Sequence, residues 1–417
     1  MNKMLLILLV ACPFAAPGQA DTVQQVIPGR TNSMEQQQKP YVILISADGF
    51  RHDLAQKYNA VNLQQLSKEG VTAEAMIPAY PTLTFPNHYT LVTGLYPSHH
   101  GLVDNTFYDA AKQETYRVGN RKVVEDGAWY GGTPLWVLAE QQQMLAASFY
   151  WVGSEAAVKG IRPTYYYRYN EEIPVDRRIE IVKNWLTLPE EKRPHLITFY
   201  FPEVDHEEHT YGPESEQAAA AVKYVDESVR KLVNMTNTLG LPVNYIFVSD
   251  HGMTTADTLH TIPFPGIIDT TAFIILGSDV LLHLYAKKKK DIRPAYRALK
   301  KQAKGFKVYL PRQTPRRWHY TTKDDRYNRV GNILLVPEWP KVFKLGKKAI
   351  TPGKHGYDNA FTDMQASFYA WGPAFKKNIT VKPFENVHVY PLITAILGLQ
   401  FTEKTDGAEN VLLPVLR

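Results

Sequence analysis

Acidic residues and histidines directly follow three apolar segments of the sequence, and these side chains are common metal ligands. The set comprises Asp48 after residues 41–46, Asp205 and His209 after residues 196–201, and Asp250 with His251 after residues 245–249. Open α/β sheets bind ligands beyond the carboxyl ends of their strands, so side chains at these positions can converge. Aspartate and histidine without cysteine are ligands that Zn²⁺ accepts in hydrolytic sites. The pattern predicts a zinc-dependent hydrolytic centre, and His355, in a glycine-containing loop, is a further candidate ligand.

Each of these residues also has a purely structural interpretation. A single aspartate after a strand often caps a helix, and an isolated histidine often makes a hydrogen bond within a loop. The joint pattern favours the metal site, because the four-residue spacing of Asp205 and His209 lets one helical turn direct both side chains at one ion.

A hydroxyl residue, Thr84, stands just before an apolar helical stretch that ends at Gly94. The segment PTLTFPNH, residues 81–88, predicts that Thr84 is the N-cap of this helix and that Pro86 lies in its first turn. A helix N-terminus offers free N–H groups and the positive end of the helix dipole, which suit a phosphate. Thr84 is therefore either a capping residue alone or a reactive hydroxyl beside a bound phosphate.

Taken together and in order, these motifs closely resemble those of the nucleotide pyrophosphatase/phosphodiesterase family, which belongs to the alkaline phosphatase superfamily. The matching segments are Asp48-Gly49-Phe50, Thr84-Phe85-Pro86-Asn87-His88, Gly94-Leu95-Tyr96-Pro97, Asp205 to His209, Ser249-Asp250-His251-Gly252-Met253 and His355-Gly356. The resemblance extends from about residue 40 to the C-terminus. Val152 and Lys354 depart from the residues that are common in the family, but neither is a proposed ligand.

The resemblance implies two Zn²⁺ ions per chain and a threonine nucleophile. The implied ligands are Asp48, Thr84, Asp250 and His251 for one ion, and Asp205, His209 and His355 for the other. The implied substrate contacts are Asn105, as a donor to a non-bridging phosphate oxygen, and Phe85, Tyr169 and Tyr200, around the base of a nucleotide.

The resemblance further implies hydrolysis of nucleoside 5′-phosphodiesters and pyrophosphates through a phospho-threonine intermediate. No arginine stands beside the Thr84 motif to neutralise a dianionic monoester, so singly charged diesters fit better. A choline- or glycerophospho-type phosphodiesterase with the same metal core remains an alternative, as does an inactive exported binding protein. A sulfatase is disfavoured, because its nucleophile would be a cysteine or serine.

The elements that must position these residues alternate between strand and helix. Strand-like segments lie at residues 41–46, 71–77, 146–151, 196–201, 245–249, 333–336 and 366–370, and helical segments at 53–69, 86–93, 175–186 and 214–239. This order predicts an α/β protein with a mainly parallel central sheet flanked by helices. The resemblance implies that the core has the three layers of alkaline phosphatase. Within a catalytic domain of residues 40–417, the basic and proline-containing residues 279–343 predict a small inserted cap.

The N-terminus predicts export from the cell. Residues 1–20 have the pattern of a signal peptide cleaved after Ala20, and residues 21–39 that of a flexible tether. Cys12 is the only cysteine, so a cleaved chain could form no disulfide, which favours a bacterial periplasmic or secreted protein. Lipid anchoring through Cys12 is a less favoured alternative.

Composition and charge limit the choice of partner. The chain has 417 residues, of which 44% are hydrophobic, as in folded globular proteins, and its net charge is +6. The basic stretches at 287–290 and 312–317 are interpreted as solvated surface, because no aromatic residues alternate with them. We therefore expect a small-molecule substrate, no stable complex with nucleic acid and no transmembrane anchor after Ala20. The oligomeric state is not indicated.

Overall fold

The computed structural model describes residues 22–347 and 349–417, and its framework is a nine-stranded sheet. In spatial order the strands are Gln25–Val26, Tyr165–Tyr167, Ala146–Phe149, Leu196–Phe201, Tyr41–Ala47, Val243–Val248, Phe368–Trp371, Val71–Ala73 and Ile379–Val381. Five neighbouring pairs are parallel and three are antiparallel. The predicted mainly parallel sheet is confirmed. The predicted signal peptide and Cys12 lie outside the described residues.

Alternating side chains of the central strands divide between two apolar cores, one on each face of the sheet. Val42 and Leu44 belong to one core, whereas Ile43 and Ile45 belong to the other. A strand that is buried on both faces needs an unbroken apolar run, which is why residues 41–46 carry one.

Helices cover both faces. Leu91 and Leu392 pack with Val42, while Leu63 and Val225 pack with Ile43. The α-helices are Leu54–Lys57, Val61–Lys68, Thr84–Thr93, Pro97–His100, Arg121–Val124, Leu135–Gln141, Val175–Leu186, Glu203–Tyr211, Glu216–Asn237, Ile292–Gln302, Val389–Leu397 and Glu409–Leu412. The predicted arrangement of a sheet between two helical layers is therefore confirmed. Among the residues that the structure describes, no helix has the length and apolarity needed to cross a bilayer.

A second, smaller sheet lies in the region for which the sequence predicts an inserted cap. Its antiparallel strands, in spatial order, are Phe273–Gly277, Leu282–Ala286, Ile333–Pro337 and Phe306–Tyr309. It has an apolar core of its own, against which one face of the helix Ile292–Gln302 packs. We call residues 273–337 the inserted region.

Short strand pairs complete the fold. They are Thr106–Asp109 with Glu114–Arg117, Thr254–Thr255 with Gly353–Lys354, Asp257–Pro263 with Lys341–Lys344, and Met76–Ile77 with Phe384–Glu385.

Two local features differ from the sequence-based expectation. The helix predicted over residues 53–69 is two helices, because Asn59 has a left-handed backbone (φ 55°) that interrupts the turn between them. The segment predicted as a tether is held against the sheet, where Gln25–Val26 pairs with the strand Tyr165–Tyr167 and forms the edge of the sheet. Buried Asn32 donates from Nδ2 to the carbonyls of Glu190 (2.8 Å) and Arg193 (2.7 Å). These contacts are made by backbone groups and by one side-chain amide. Such contacts require no periodic apolar residues in the segment, so the composition of residues 21–39 did not indicate them.

Candidate functional site

The candidate site lies where three neighbouring parallel strands end at the same edge of the sheet. The strands are Leu196–Phe201, Tyr41–Ala47 and Val243–Val248. Asp48 directly follows the middle strand, and the Gly49 N–H donates to Asp250 Oδ1 (3.2 Å). Gly49 has φ +71°, and a Cβ atom there would lie 3.1 Å from Asp205 Cβ. The chain must therefore have glycine at this turn for the two strand ends to approach each other.

One group of candidate ligands surrounds the ring of His251. Its Nε2 lies 2.9 Å from Asp250 Oδ2 and 3.4 Å from Asp48 Oδ1. Thr84 Oγ1 lies 3.3 Å from the same nitrogen. The two carboxylates and the imidazole are buried, and their ligand atoms lie within 4.8 Å of one another. This arrangement can hold a metal ion beside the threonine hydroxyl.

A second group adjoins the first. Asp205 and His209 lie one turn apart on the helix Glu203–Tyr211, with His209 Nε2 3.5 Å from Asp205 Oδ1. His355 Nε2 lies 3.0 Å from His209 Nε2 and 3.7 Å from Asp205 Oδ1. The ring of His355 stacks on that of His251 at 3.7 Å, which links the two groups. All seven ligands predicted from the sequence are thus brought together.

The three histidines are oriented by backbone carbonyls. Nδ1 of His251 lies 3.0 Å from Gly252 O, Nδ1 of His355 lies 2.8 Å from Thr82 O, and Nδ1 of His209 lies 2.9 Å from Gly353 O. A carbonyl accepts, so each Nδ1 carries a hydrogen, and in the neutral form of each ring Nε2 presents a lone pair. Lone pairs directed at carboxylates or at one another are stabilised by a cation between them, either a proton or a metal ion.

The buried carboxylates also indicate a site for cations. Asp48 Oδ1 and Asp205 Oδ1 are buried, and among the described residues no hydrogen-bond donor satisfies them. Burial, with the negative charges of Asp250 and Asp205, raises the pKa of Asp48 well above its usual range. Burial alone would also raise the pKa of Asp250, but His251 and His88 lower it well below its usual range. Unsatisfied buried oxygens of this kind fit bound metal ions.

The pKa values of His355 and His251 are shifted in opposite directions. Burial, with the positive charges of His251 and His209, lowers the pKa of His355 well below its usual range, which keeps that ring in the neutral form that ligates metals. Burial also opposes charge on His251, but the carboxylates of Asp250 and Asp205 raise its pKa above the usual value. A proton and a metal ion therefore compete for His251 Nε2.

Two further residues support the ligands. His88, to which the sequence assigned no role, lies 3.3 Å from Asp250 Oδ2 through Nδ1, and its Nε2 is 2.8 Å from Ser46 Oγ. The hydroxyl of Tyr200 donates to Asp48 Oδ2 at 2.6 Å. The only sequence signal for His88 is its position one helical turn after Thr84, so its contact with Asp250 could not be foreseen.

Thr84 is the first residue of the helix Thr84–Thr93, and Leu83 is the N-cap, so the predicted capping role of Thr84 is wrong. The Thr84 hydroxyl faces His251 instead of the backbone of its own helix. Asn105 Oδ1 accepts from the N–H of Phe85 at 3.1 Å, which leaves the Nδ2 hydrogens of Asn105 to donate elsewhere. The helix start therefore presents a hydroxyl and an amide side by side.

A cavity of about 370 Å³ opens beside Thr84. Its lining includes Phe85, Tyr169 and Tyr200, three of the residues predicted from the sequence to contact substrate, whereas Asn105 adjoins it only through Phe85. The sequence did not point to its other lining residues, which include Arg121, Tyr150, Trp151, Glu155 and Arg168. Arg121 and Arg168 both pair with Glu125, which lies outside the cavity lining.

Comparison with known proteins identifies close relatives. The family model described as type I phosphodiesterase/nucleotide pyrophosphatase matches residues 42–358. Ectonucleotide pyrophosphatase/phosphodiesterase family member 3 of Bos taurus is 34% identical over 401 residues, 90% of this chain and 44% of its own length. Family member 1 of Homo sapiens is 35% identical over 390 residues, 90% of this chain and 42% of its own length. Venom phosphodiesterase of Naja atra is 34% identical over 387 residues, 89% of this chain and 46% of its own length. The chain spans less than half the length of these relatives.

Solved structures share the fold. Murine ectonucleotide pyrophosphatase/phosphodiesterase 5 gives a TM-score of 0.84 at 29% identity, over 90% of this chain and 100% of that chain. An inactive form of that murine protein, in complex with AMP, gives the same TM-score and identity over 91% of this chain and 100% of that chain. The α/β architecture predicted from the sequence is the one these relatives have.

Removing divalent cations should destabilise the protein, because the buried carboxylates and imidazoles then lose their counter-charge. We expect a chelator to lower the midpoint of thermal unfolding by several degrees, and added Zn²⁺ to restore it, as measured by calorimetry. A variant that combines Asp48→Ala with Asp205→Ala should respond far less. A midpoint that the chelator leaves unchanged would contradict the metal site.

Proposed function

Because the chain belongs to the type I phosphodiesterase/nucleotide pyrophosphatase family, we propose that it is an exported two-zinc enzyme that hydrolyses nucleoside 5′-phosphodiesters and pyrophosphates. The observation that carries the proposal is the convergence of the Thr84 hydroxyl, two adjoining groups of candidate ligands and an aromatic cavity. The relatives named as nucleotide pyrophosphatases, and the AMP complex of one of them, support a nucleotide substrate.

The ligand groups divide between two ions. Asp48, Asp250, His251 and Thr84 would hold one, and Asp205, His209 and His355 the other. Bound zinc would supply a lowered pKa for the threonine hydroxyl and positive charge for the phosphate oxygens. Mixed aspartate and histidine donors without cysteine are the set that zinc accepts in such sites.

Thr84 is the proposed nucleophile. Its Oγ1 attacks phosphorus, the bond from phosphorus to the leaving alcohol or phosphate breaks, and the nucleotide becomes an ester of Thr84. Water then attacks the same phosphorus, the bond to Oγ1 breaks, and the nucleoside monophosphate leaves while Thr84 regains its proton. His88 and Tyr200 keep the carboxylates around Thr84 in place through both steps.

Asn105 is the proposed neutral donor to a non-bridging phosphate oxygen. Its Oδ1 is engaged by the Phe85 N–H, so Nδ2 is the group that can donate to the phosphate. The Thr84 helix also directs the positive end of its dipole to this place. A neutral donor and a helix start suit the single charge of a diester.

The cavity is the proposed seat of the nucleotide base. Phe85 and Tyr169 present aromatic surface, and Tyr169 is 46% exposed, so its ring is accessible to a ligand. Tyr200 is buried and its hydroxyl is engaged by Asp48, so it forms the inner wall. Aromatic rings also bind quaternary ammonium groups, so the substrate panel below compares nucleotide esters with a choline ester.

The zinc content should divide between the two groups of ligands. We expect about two zinc ions per chain in the parent protein and about one in Asp205→Ala or in Asp48→Ala, as measured by elemental analysis after dialysis. Glu227→Ala removes a carboxylate that pairs only with Arg230 on the surface and should keep the full content. Unchanged zinc in both ligand variants would mean that these residues do not hold it.

Replacing the nucleophile should nearly abolish turnover. We expect Thr84→Ala to lower kcat on a p-nitrophenyl nucleotide ester by at least roughly a thousandfold, with zinc content and thermal stability retained. Thr84→Ser keeps the hydroxyl and should keep measurable activity. Near-parental rates for the alanine variant would reduce Thr84 to a structural residue.

Aromatic contacts should matter only for substrates that carry a base. Stacking contributes roughly 1–3 kcal/mol per base, so Phe85→Ala with Tyr169→Ala should raise KM for a thymidine ester by about tenfold or more. The same variant should change KM for methyl p-nitrophenyl phosphate little. Tyr224→Ala removes a similarly exposed tyrosine on the helix Glu216–Asn237 and serves as the control.

A substrate panel completes this test with a dinucleotide, ATP, p-nitrophenyl phosphate and p-nitrophenyl phosphocholine. We expect the nucleotide diesters to give the highest kcat/KM. The nucleotide assignment would be overturned if the Phe85→Ala, Tyr169→Ala variant lost as much on methyl p-nitrophenyl phosphate as on the thymidine ester, or if the parent enzyme cleaved the choline ester fastest. Neither result would contradict the proposed two-metal site.

A further inference from the structure

The loop that carries Asn105 is held in place by buried contacts from the inserted region. We use the name loop for residues 101–109, which comprise the turn around Asn105 and the short strand Thr106–Asp109. Three side chains of the inserted region reach it, and all three are buried: His283, Tyr320 and Arg329. Along the chain these residues lie far from the loop that they hold.

The contact nearest to Asn105 joins Asp104 to His283. Asp104 is 1% exposed, and its Oδ2 lies 3.1 Å from Nε2 of His283, which is fully buried on the strand Leu282–Ala286. Nδ1 of His283 lies 2.8 Å from the carbonyl of Val330, so the ring is fixed from both sides. A buried polar pair of this kind has one favourable geometry, because neither group can turn to water.

The same carboxylate holds the backbone on the other side of Asn105. Asp104 Oδ1 accepts from the N–H of Thr106 at 2.9 Å, which closes a turn around Asn105. The Asn105 carbonyl in turn accepts from the Val118 N–H at 3.1 Å. The peptide group that follows Asn105 is therefore fixed by Val118 and by a carboxylate whose second oxygen is held by His283.

Two more residues of the inserted region, Tyr320 and Arg329, bind the loop. The Tyr320 hydroxyl donates to the carbonyl of Val103. The guanidinium of Arg329 donates to Asp109 Oδ2 at 2.9 Å and to the carbonyl of Gly101 at 3.0 Å. These contacts and the one to His283 hold the loop from the inserted region, while Asn105 Oδ1 is bonded to the Phe85 N–H.

We propose that the inserted region serves to position the phosphate donor Asn105, and that His283 is a positioning residue for catalysis that acts through Asp104. The proposal rests on the role assigned above to Asn105. A donor that is already aligned stabilises developing charge on the phosphate without reorganisation, so its alignment affects the rate more than the binding of substrate. His283 itself touches neither the substrate cavity nor the candidate ligands of the metals.

The test compares variants that remove the His283 contact with one that removes an equivalent bond elsewhere. His283→Leu removes the donor, and His283→Gln can still donate to Asp104. Asp104→Asn replaces one carboxylate oxygen with an NH2 group at almost no change in volume, so the side chain can no longer use one oxygen for Thr106 and another for His283. Tyr165→Phe is the control, because it loses a hydroxyl bond to the Lys192 carbonyl (3.0 Å), which lies neither in the loop nor in the inserted region. Zinc content and thermal midpoint are measured for each variant.

For a p-nitrophenyl nucleotide ester, we expect His283→Leu and Asp104→Asn to lower kcat by about ten- to a hundredfold, with KM changed less than about threefold. His283→Gln should recover most of the rate, and Tyr165→Phe should stay within about twofold of the parent. Parental kcat in folded His283→Leu and Asp104→Asn proteins would overturn the proposal, as would an equal loss in Tyr165→Phe.

A double-mutant cycle decides whether the effect passes through Asn105. In an Asn105→Ala background, His283→Leu should lower kcat by less than about threefold further. Losses that multiply in full would show that His283 acts by another route and would overturn the proposal. Failure of the proposed function looks different, because the parent enzyme would then not hydrolyse the nucleotide ester at all.

Discussion

The structure depends on one electrostatic constraint at the carboxyl edge of its central sheet. Three adjacent parallel strands end there and bring the carboxylates of Asp48, Asp205 and Asp250 into one buried volume. The imidazoles that face them present lone pairs, because each Nδ1 is engaged by a backbone carbonyl. His251 and His88 offset part of the negative charge, and divalent cations between these groups would offset the rest. This requirement is the reason that we interpret the cluster as a metal site.

The surrounding elements keep this cluster rigid and open on one side. His88 and Tyr200 hold the two carboxylates beside Thr84, and Gly49 permits the close approach of the Asp205 helix. The open side leads into the aromatic cavity. The inserted region has its own apolar core and contacts the Asn105 loop, and none of its residues, all of which the structure describes, lines the cavity beside Thr84.

The sequence predicts well those features whose signal is local. The strand Leu196–Phe201 and the helix Val175–Leu186 have the predicted bounds, because buried strands and amphipathic helices carry their own apolar periods. Asp48, the Asp205–His209 pair and the Asp250–His251 pair could be predicted as candidate ligands because they lie just beyond such strands. The family resemblance adds Thr84 as a candidate ligand, and His355 is a candidate from its loop. Features that depend on distant partners could not: Asp104 and His283 are 179 positions apart, and neither has a motif. The one-residue shift at Thr84 has a similar cause, because its hydroxyl faces His251 from another strand end instead of its own helix.

The stereochemistry of hydrolysis at phosphorus tests the central claim, attack by Thr84 followed by water, most directly. The substrate is one phosphorus diastereomer of a nucleoside 5′-phosphorothioate aryl ester, hydrolysed in water enriched in ¹⁸O, and the configuration of the product is read by ³¹P NMR. Each in-line displacement inverts phosphorus, so attack by Thr84 and then by water predicts overall retention. Overall inversion would mean a single direct attack by water and would contradict the account.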